Sequence, residues 1–399
     1  MATLNHHIRA IVIALVIVFL SFAVPSHAEK VTFVKEYTYQ ASELDSKASC
    51  RTISLEMVKR LLLEELGTYL ISETEVKDFK LTKEQVKTYS AGIVGAEIIE
   101  DKWDGKTYWL KARVSADPKE VSKALKKIMD DPFKGKELEE TRKKAEELTK
   151  EVERLNKELA KATNKQPSKK IQQEYKTAIQ GLSAVEWLDK GNESAMKGRY
   201  ERAIEAYSKA IELKPDYVEA YSERGLAYDN IGNHQQAIND LTKAIKLEPD
   251  AANVYLVRGF AYGKLANYQQ AIKDFTKVIE LEPDYTLAYN NRGFAYSKLG
   301  NYQQAIKDYN RAIKLEPDEA YHYNDRGIVY KNLGNYQQAI KDFYKAIELK
   351  PEYAEAYYSR GLVYGKLGNY QHKIKDLQIA ARLGFKTAQD ALLKMGEKW

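Results

Sequence analysis

The sequence predicts a mainly α chain: an α-solenoid of six helix–turn–helix units, preceded by a long helical arm of coiled-coil character and a small α+β domain. Three observations predict it. Pro215, Pro249, Pro283, Pro317 and Pro351 each lie 34 residues after the last, inside one repeated phrase whose clearest copy is TLAYNNRGFAYSKLGNYQQAIKDYNRAIKLEPDE over 286–319. A period of that length with paired helical patterns is the mark of a repeat solenoid. Ahead of the array, apolar residues step by threes and fours over just more than three heptads. Ahead of that, β-branched and aromatic runs flank an Asp-Gly pair.

The chain of 399 residues carries a formal charge of +6. Residues 1–28 hold one Arg and no acid, so their removal leaves +5. No concentrated basic face accompanies this mild excess, which argues against a nucleic-acid partner. Arg9, the apolar run Ala10 to Leu20, Pro25 and the small residues of Ser26-His27-Ala28 read as a secretory signal peptide cut after Ala28. Export then places the protein in a periplasm; the alternatives are secretion or an uncleaved membrane anchor, the only membrane contact foreseen. Cys50 stands alone, so no disulfide forms within one chain. It is a small buried residue on a helix, a reactive thiol or an intermolecular link.

Residues 29–133 form the small α+β domain. Val31 to Tyr39 reads as a strand, and Ser46 to Leu70 as a helix on the spacing of Ala48, Ile53, Met57, Leu61, Leu62 and Leu66. Thr82 and Gln85 have capping-box spacing, with Leu81 and Val86 as a staple. Ile93–Trp103 and Thr107–Ser115 read as a hairpin whose turn, Asp104-Gly105, takes positive φ at both residues. Asp117-Pro118 opens a further helix.

Residues 134–168 form the arm and its hinge. Leu138, Thr141, Ala145, Leu148, Val152, Leu155, Leu159 and Ala162 make the heptad seam, a candidate homo-oligomer contact over 138–162. Glu139–Lys143, Glu140–Lys144, Glu146–Lys150 and Glu153–Lys157 would brace a lone helix at i,i+4. Thr163 to Lys170 reads as the hinge to the array.

The array occupies 169–386, with units starting at 184, 218, 252, 286, 320 and 354 and a capping helix over 387–399. Position 8 of each unit is Gly and position 4 is aromatic, positions 20 and 27 are mostly Ala, position 11 is Tyr from the second unit on, and position 32 is Pro except in the last unit, where it is Phe385. Ser183 with Glu186 has capping-box spacing at the first unit. These residues resemble the tetratricopeptide repeat. The resemblance implies a right-handed superhelix whose first helices line a concave groove for an extended peptide or a partner's helix. In some chaperone-associated members a clamp for C-terminal carboxylates has Lys at position 5 before Asn at position 9; here Leu188 precedes Asn192, so that specificity does not carry over.

Position 7 is Arg in five units and position 23 is Asp in five. They form either a ladder of ion pairs that fixes register or an arginine stripe for anions. The groove is lined by positions 2, 5, 9 and 12, which gives Leu226, Leu256, Phe260, Leu287, Asn290, Phe294, Tyr321, Asn324, Ile328, Tyr358 and Leu362 as the candidate protein-binding residues. If position 9 is covered by the adjacent first helix, part of this set is core instead.

Within 29–133, the stretch Ser90-Ala91-Gly92-Ile93-Val94 and the hairpin ending Tyr108-Trp109-Leu110-Lys111-Ala112-Arg113-Val114 resemble the N-terminal envelope domain of flagellar assembly protein T. That resemblance implies a cell-envelope setting. No nucleophile–base motif, phosphate loop or metal spacing appears, so no catalytic residue, cofactor or metal site is expected. The function expected is a non-enzymatic envelope scaffold or adaptor that grips a protein or peptide partner. One alternative is a coordinator of wall synthesis or outer-membrane constriction, whose coil-then-repeat order it resembles. Another is a ligand-binding or enzymatic N-terminal domain with the repeats as recruiter.

Overall fold

A computed structural model describes residues 30–72, 76, 79, 81–161 and 169–399. The expected signal segment, 1–28, and most of the expected hinge lie outside the described residues. Strand β1 (Val31–Gln40), helix α1 (Lys47–Ser72), helix α2 (Lys83–Ile93), strands β2 (Glu97–Trp103) and β3 (Thr107–Ala116) and helix α3 (Pro118–Met129) follow in the expected order. The sheet runs β1-β3-β2, antiparallel throughout. Its buried face is β3, whose Tyr108, Leu110, Ala112 and Val114 are fully covered. Alternation puts every second residue on that face, and α1 covers it with Val58, Leu62, Leu66 and Leu70. Each leucine buried there contributes about 1.5–3 kcal/mol.

Local signals hold at both N-caps. The Thr82 hydroxyl accepts from the Gln85 amide, and the Gln85 side chain accepts from the Thr82 amide. Asp117 caps α3, with Pro118 at its first position. Cys50 is fully buried on α1, and burial pushes its thiol up to about 12. The hairpin differs from expectation. Gly105 has φ +92°, but Asp104 does not enter the left-handed region. The loop runs through Lys106, and the Asp104 carboxylate accepts from the amides of Lys106 (2.8 Å) and Thr107 (2.6 Å). An acceptor side chain has replaced the second strained residue. Helix α2 also takes Ile93, so β2 starts four residues later than read.

Helix α4 (Pro132–Lys161) is the expected arm, but it does not stand off from the chain. It packs along α5 (Lys169–Met196), and its start also meets α2 and α3. The heptad seam is what it buries: Leu138, Thr141, Ala145, Val152 and Leu155 are all covered within the chain. Tyr175, Ala178 and Leu182 of α5 belong to the same core as the sheet and α1. A second copy could reach the seam only by parting α4 from α5. Among the described residues none of the four Glu–Lys pairs closes. Arg154 instead bridges Glu151 and Glu158, each at 2.5 Å.

Ser183 and Glu186 are not a cap, because α5 runs through them from Lys169. Ser183 faces Thr52 of α1 at 3.3 Å, and Glu186 accepts from Arg51 (3.2 Å) and Lys190 (2.8 Å). Lys59, 7% exposed, pairs with Asp189. The first repeat helix is thereby fused to the N-terminal domain.

From α5 onward first and second helices alternate: α6 (Tyr200–Leu213), α7 (Val218–Asn230), α8 (His234–Leu247), α9 (Ala252–Lys264), α10 (Tyr268–Leu281), α11 (Thr286–Lys298), α12 (Tyr302–Leu315), α13 (Ala320–Asn332), α14 (Tyr336–Leu349), α15 (Ala354–Lys366) and α16 (Tyr370–Arg382). Helix α17 (Lys386–Lys394) closes the end, burying Ala388 and Leu392. Each turn between a unit's helices places one residue at positive φ. It is Ala266, φ 56°, in the third unit and Gly in the other five. No described helix is long and apolar enough to cross a membrane.

Candidate protein-binding groove

Two features hold the walls of the groove. The first is the position-8 glycine. A Cβ on Gly259 would lie 2.6 Å from the Phe275 ring, and one on Gly327 would lie 2.8 Å from Phe343. The ring that fills the glycine's space comes from position 24 of the unit, on its second helix, which sequence reasoning missed. The signal was there: 207, 241, 275, 309, 343 and 377 are all large and apolar.

The second is the Arg–Asp ladder. Each position-7 Arg grips the position-23 Asp of its own unit with two bonds of 2.7–2.9 Å, from Arg224–Asp240 through Arg360–Asp376. In four units the remaining guanidinium nitrogen reaches back to the previous unit's second helix, at Ser208 (2.9 Å), Thr242 (3.0 Å), Thr276 (3.0 Å) and Asn310 (2.5 Å). The guanidinium also lies over the position-4 ring, as Arg258 does over Tyr255 at 5.5 Å. Four of these arginines join three helices of the wall, and the anion-stripe reading fails because all five guanidiniums are paired with an Asp.

The first helices α5, α7, α9, α11, α13 and α15 lie side by side, and their inner face is half covered by the chain itself. Lys134 of α4 donates to Glu223 of α7 at 2.6 Å, and Lys144 pairs with Glu219. The Phe133 ring sits 4.8 Å from that of Tyr285 and joins the cluster of Leu256 and Ala288. Glu137 is half-buried beside Lys134 (3.5 Å); desolvation and then the charge of Glu223 push its carboxyl up to about 8. A cavity of about 270 Å³, walled by Ile128, Leu138, Met196, Tyr200 and Leu226, remains between α2–α4 and α5–α7.

The eleven candidate residues divide accordingly. Leu226 borders that cavity. Leu256 is buried beneath Phe133, and Phe260 packs its ring 5.6 Å from Phe275. Beyond Tyr285 the face is open. Leu287, Phe294 and Tyr321 are 44%, 46% and 45% exposed. Tyr268 stacks edge-on to Phe294 at 6.4 Å, and Lys350 donates to the Tyr321 hydroxyl at 2.7 Å. Ile328, Tyr358 and Leu362 are half-buried around them, Tyr358 against Phe385 at 5.1 Å.

The polar floor is denser than the candidate set implied. His322 Nδ1 lies 3.1 Å from Asn290 Oδ1, and its Nε2 lies 3.4 Å from Glu316. Asn324 is 1% exposed; its amide donates to Asp325 at 3.4 Å while its Oδ1 has no partner. Burial pushes Asp325 up to about 6, against the opposing hydrogen bonds of Asn324 and Asn290. An acid whose folded pKa is raised destabilises the fold as pH climbs through that range, and the penalty vanishes below its unfolded value. Asp325→Asn is therefore expected to gain roughly 1–2 kcal/mol at pH 7 and nothing at pH 3. Urea unfolding at the two pH values checks this, and an equal change at both would contradict it.

Profiles of the tetratricopeptide repeat match residues 218–251, 252–285, 286–319, 308–341 and 354–383, and a TPR-repeat profile matches 191–232 and 329–368. The chain belongs to the tetratricopeptide-repeat family through this array. No curated protein matches this chain. Among solved structures, a MamA protein is 30% identical over 44% of this chain and 96% of its own, with a TM-score of 0.41. MamA from Desulfovibrio magneticus RS-1 is 22% identical over 43% of this chain and 97% of its own (TM-score 0.42). YrrB, described as a TPR protein with an unusual peptide-binding site, is 23% identical over 47% and 98% (TM-score 0.40). Tetratricopeptide arrays are typical non-catalytic scaffolds for protein interaction, and among the described residues no group of His, Cys, Asp and Glu could hold a metal ion.

Proposed function

We propose that the chain is an adaptor that holds a segment of a partner protein in the open, C-terminal half of its tetratricopeptide groove. One observation carries this reading. Leu287, Phe294 and Tyr321 form an apolar stripe that the chain leaves exposed on the face whose other half it fills with its own helix α4. An exposed apolar stripe with polar flanks marks a contact surface. The covered half supplies the mode: an aromatic anchor, Phe133, seated between first helices and flanked by ion pairs.

The proposed setting is the cell envelope, reached by export. This rests on residues 1–28 and on the likeness of 29–133 to the flagellar assembly protein T domain. In this reading the N-terminal domain docks at the envelope and α4 fixes it rigidly to the array. Coordination of wall synthesis would be one use of such an adaptor.

The test is photo-crosslinking in the exporting cell, with the crosslinking residue in place of Tyr321. A discrete crosslinked species is expected, and Leu287→Ser with Phe294→Ala should abolish it while helicity is unchanged. Undiminished capture by that variant would refute the groove assignment.

A further inference from the structure

The two halves of the groove differ in charge as well as in cover. In the covered half Asp229, at repeat position 12, accepts from Lys264, at position 13 of the next unit, at 2.7 Å. It also contacts His234 Nδ1 at 2.7 Å. Asp229 and Lys264 are 35 residues apart. The same two positions in the last two units are Lys331 and Lys366. The repeat therefore sets two ammonium groups where the earlier units set an ion pair.

Among the described residues neither lysine has an ion-pair partner. Lys331 is half-buried on α13, and burial alone lowers its pKa, as for an ammonium without a counter-ion. The equivalent place across from Lys298 is Gly263, and Lys298 lies over the Phe294 ring at 5.0 Å. Of the carboxylates on these two helices, Glu355 sits in the first turn of α15 and Asp325 in the middle of α13. Asp325 is six residues before Lys331, about 9 Å of helical rise.

The covered half shows the converse. Its wall presents Glu219 and Glu223, and α4 meets them with Lys144 and Lys134. The chain's own occupant is basic where the wall is acidic.

We infer that Lys331 and Lys366 together receive a carboxylate side chain from an acidic segment of a partner protein, whose apolar residues lie on Leu287, Phe294 and Tyr321. This rests on the groove reading above and adds the sign of the partner's charge and the place where it is read.

The full chain is panned against a displayed library of short random peptides. Selected peptides are then synthesised and titrated by fluorescence anisotropy against three proteins: wild type, Lys331→Gln/Lys366→Gln, and Leu287→Ser/Phe294→Ala. Circular dichroism confirms that both variants are folded. The expected result is enrichment of Asp and Glu beside aromatic or aliphatic residues. The lysine variant should weaken binding about tenfold or more, the size of a charge-assisted contact, and the loss should shrink at high salt. Binding should fail in the apolar variant. If the apolar variant fails but the lysine variant binds as tightly as wild type, or if selected peptides are neutral or basic, the acidic-partner inference falls and the groove stands. If no peptide is retained, or the apolar variant binds equally, both fall.

Discussion

Arg326→Met is expected to cost the array about 3–5 kcal/mol, the range for removing one partner of a buried ion pair. Asp342 is 4% exposed, and its carboxylate receives both of its Arg326 bonds at 2.7–2.8 Å. Without Arg326 that charge stays buried with no counter-ion. The substitution also frees Asn310 on the preceding unit and removes the cation 5.7 Å above Tyr323. Two interfaces then weaken at once: the one between the helices of the unit and the one to its neighbour. Arg326→Met with Asp342→Leu removes both charges and should recover much of the loss, since apolar replacement of a whole pair is often neutral. Urea midpoints for the two variants measure this. A single-variant loss under about 1 kcal/mol would show that water reaches Asp342, as for an exposed pair.

Gly259→Val should be the next most damaging change, at roughly 1–3 kcal/mol from overpacking. The new Cβ would lie 2.6 Å from an edge carbon of Phe275, which is 3% exposed and hemmed in by its own cluster. Gly293 is a built-in comparison, because its Cβ would lie 3.2 Å from Tyr309, within reach of a small shift. Gly293→Ala should therefore cost clearly less than Gly259→Ala. Equal losses at the two glycines, read by thermal unfolding, would remove ring contact as the cause.

The repeats were legible because every unit restates the same constraints at fixed positions. Gly259 and Phe275, or Arg258 and Asp274, recur with their spacing unchanged, and the ladder was legible as equal numbers of opposite charges. The caps at Thr82 and Asp117 were legible because a cap involves only residues adjacent in sequence. Features that depend on distant segments were not. The seam of Leu138, Val152 and Leu155 has the same pattern whether its partner is a second copy or α5. Ser183 and Glu186 have the spacing of a cap but lie in mid-helix, because Tyr175 and Leu182 extend α5 backward into the N-terminal core. The cover over Leu256 depends on Phe133, more than a hundred residues away and outside any repeat. Leu287, Phe294 and Tyr321 occupy the same repeat positions as residues of the covered half, and nothing local distinguishes their exposure from the burial of Leu256.

The fusion of α5 with the N-terminal core has a directional consequence. In a repeat array each unit leans only on its neighbours, so loss of order spreads from an unsupported end. Among the described residues the first unit is anchored by Lys59–Asp189, Arg51–Glu186 and the Tyr175 contacts, while the last unit packs against the short helix α17. Fraying therefore starts at the C-terminal side and advances toward α4. The exposed stripe of Leu287, Phe294 and Tyr321 lies in the half that loosens first, and a ligand seated there would act as a clasp on the less anchored units.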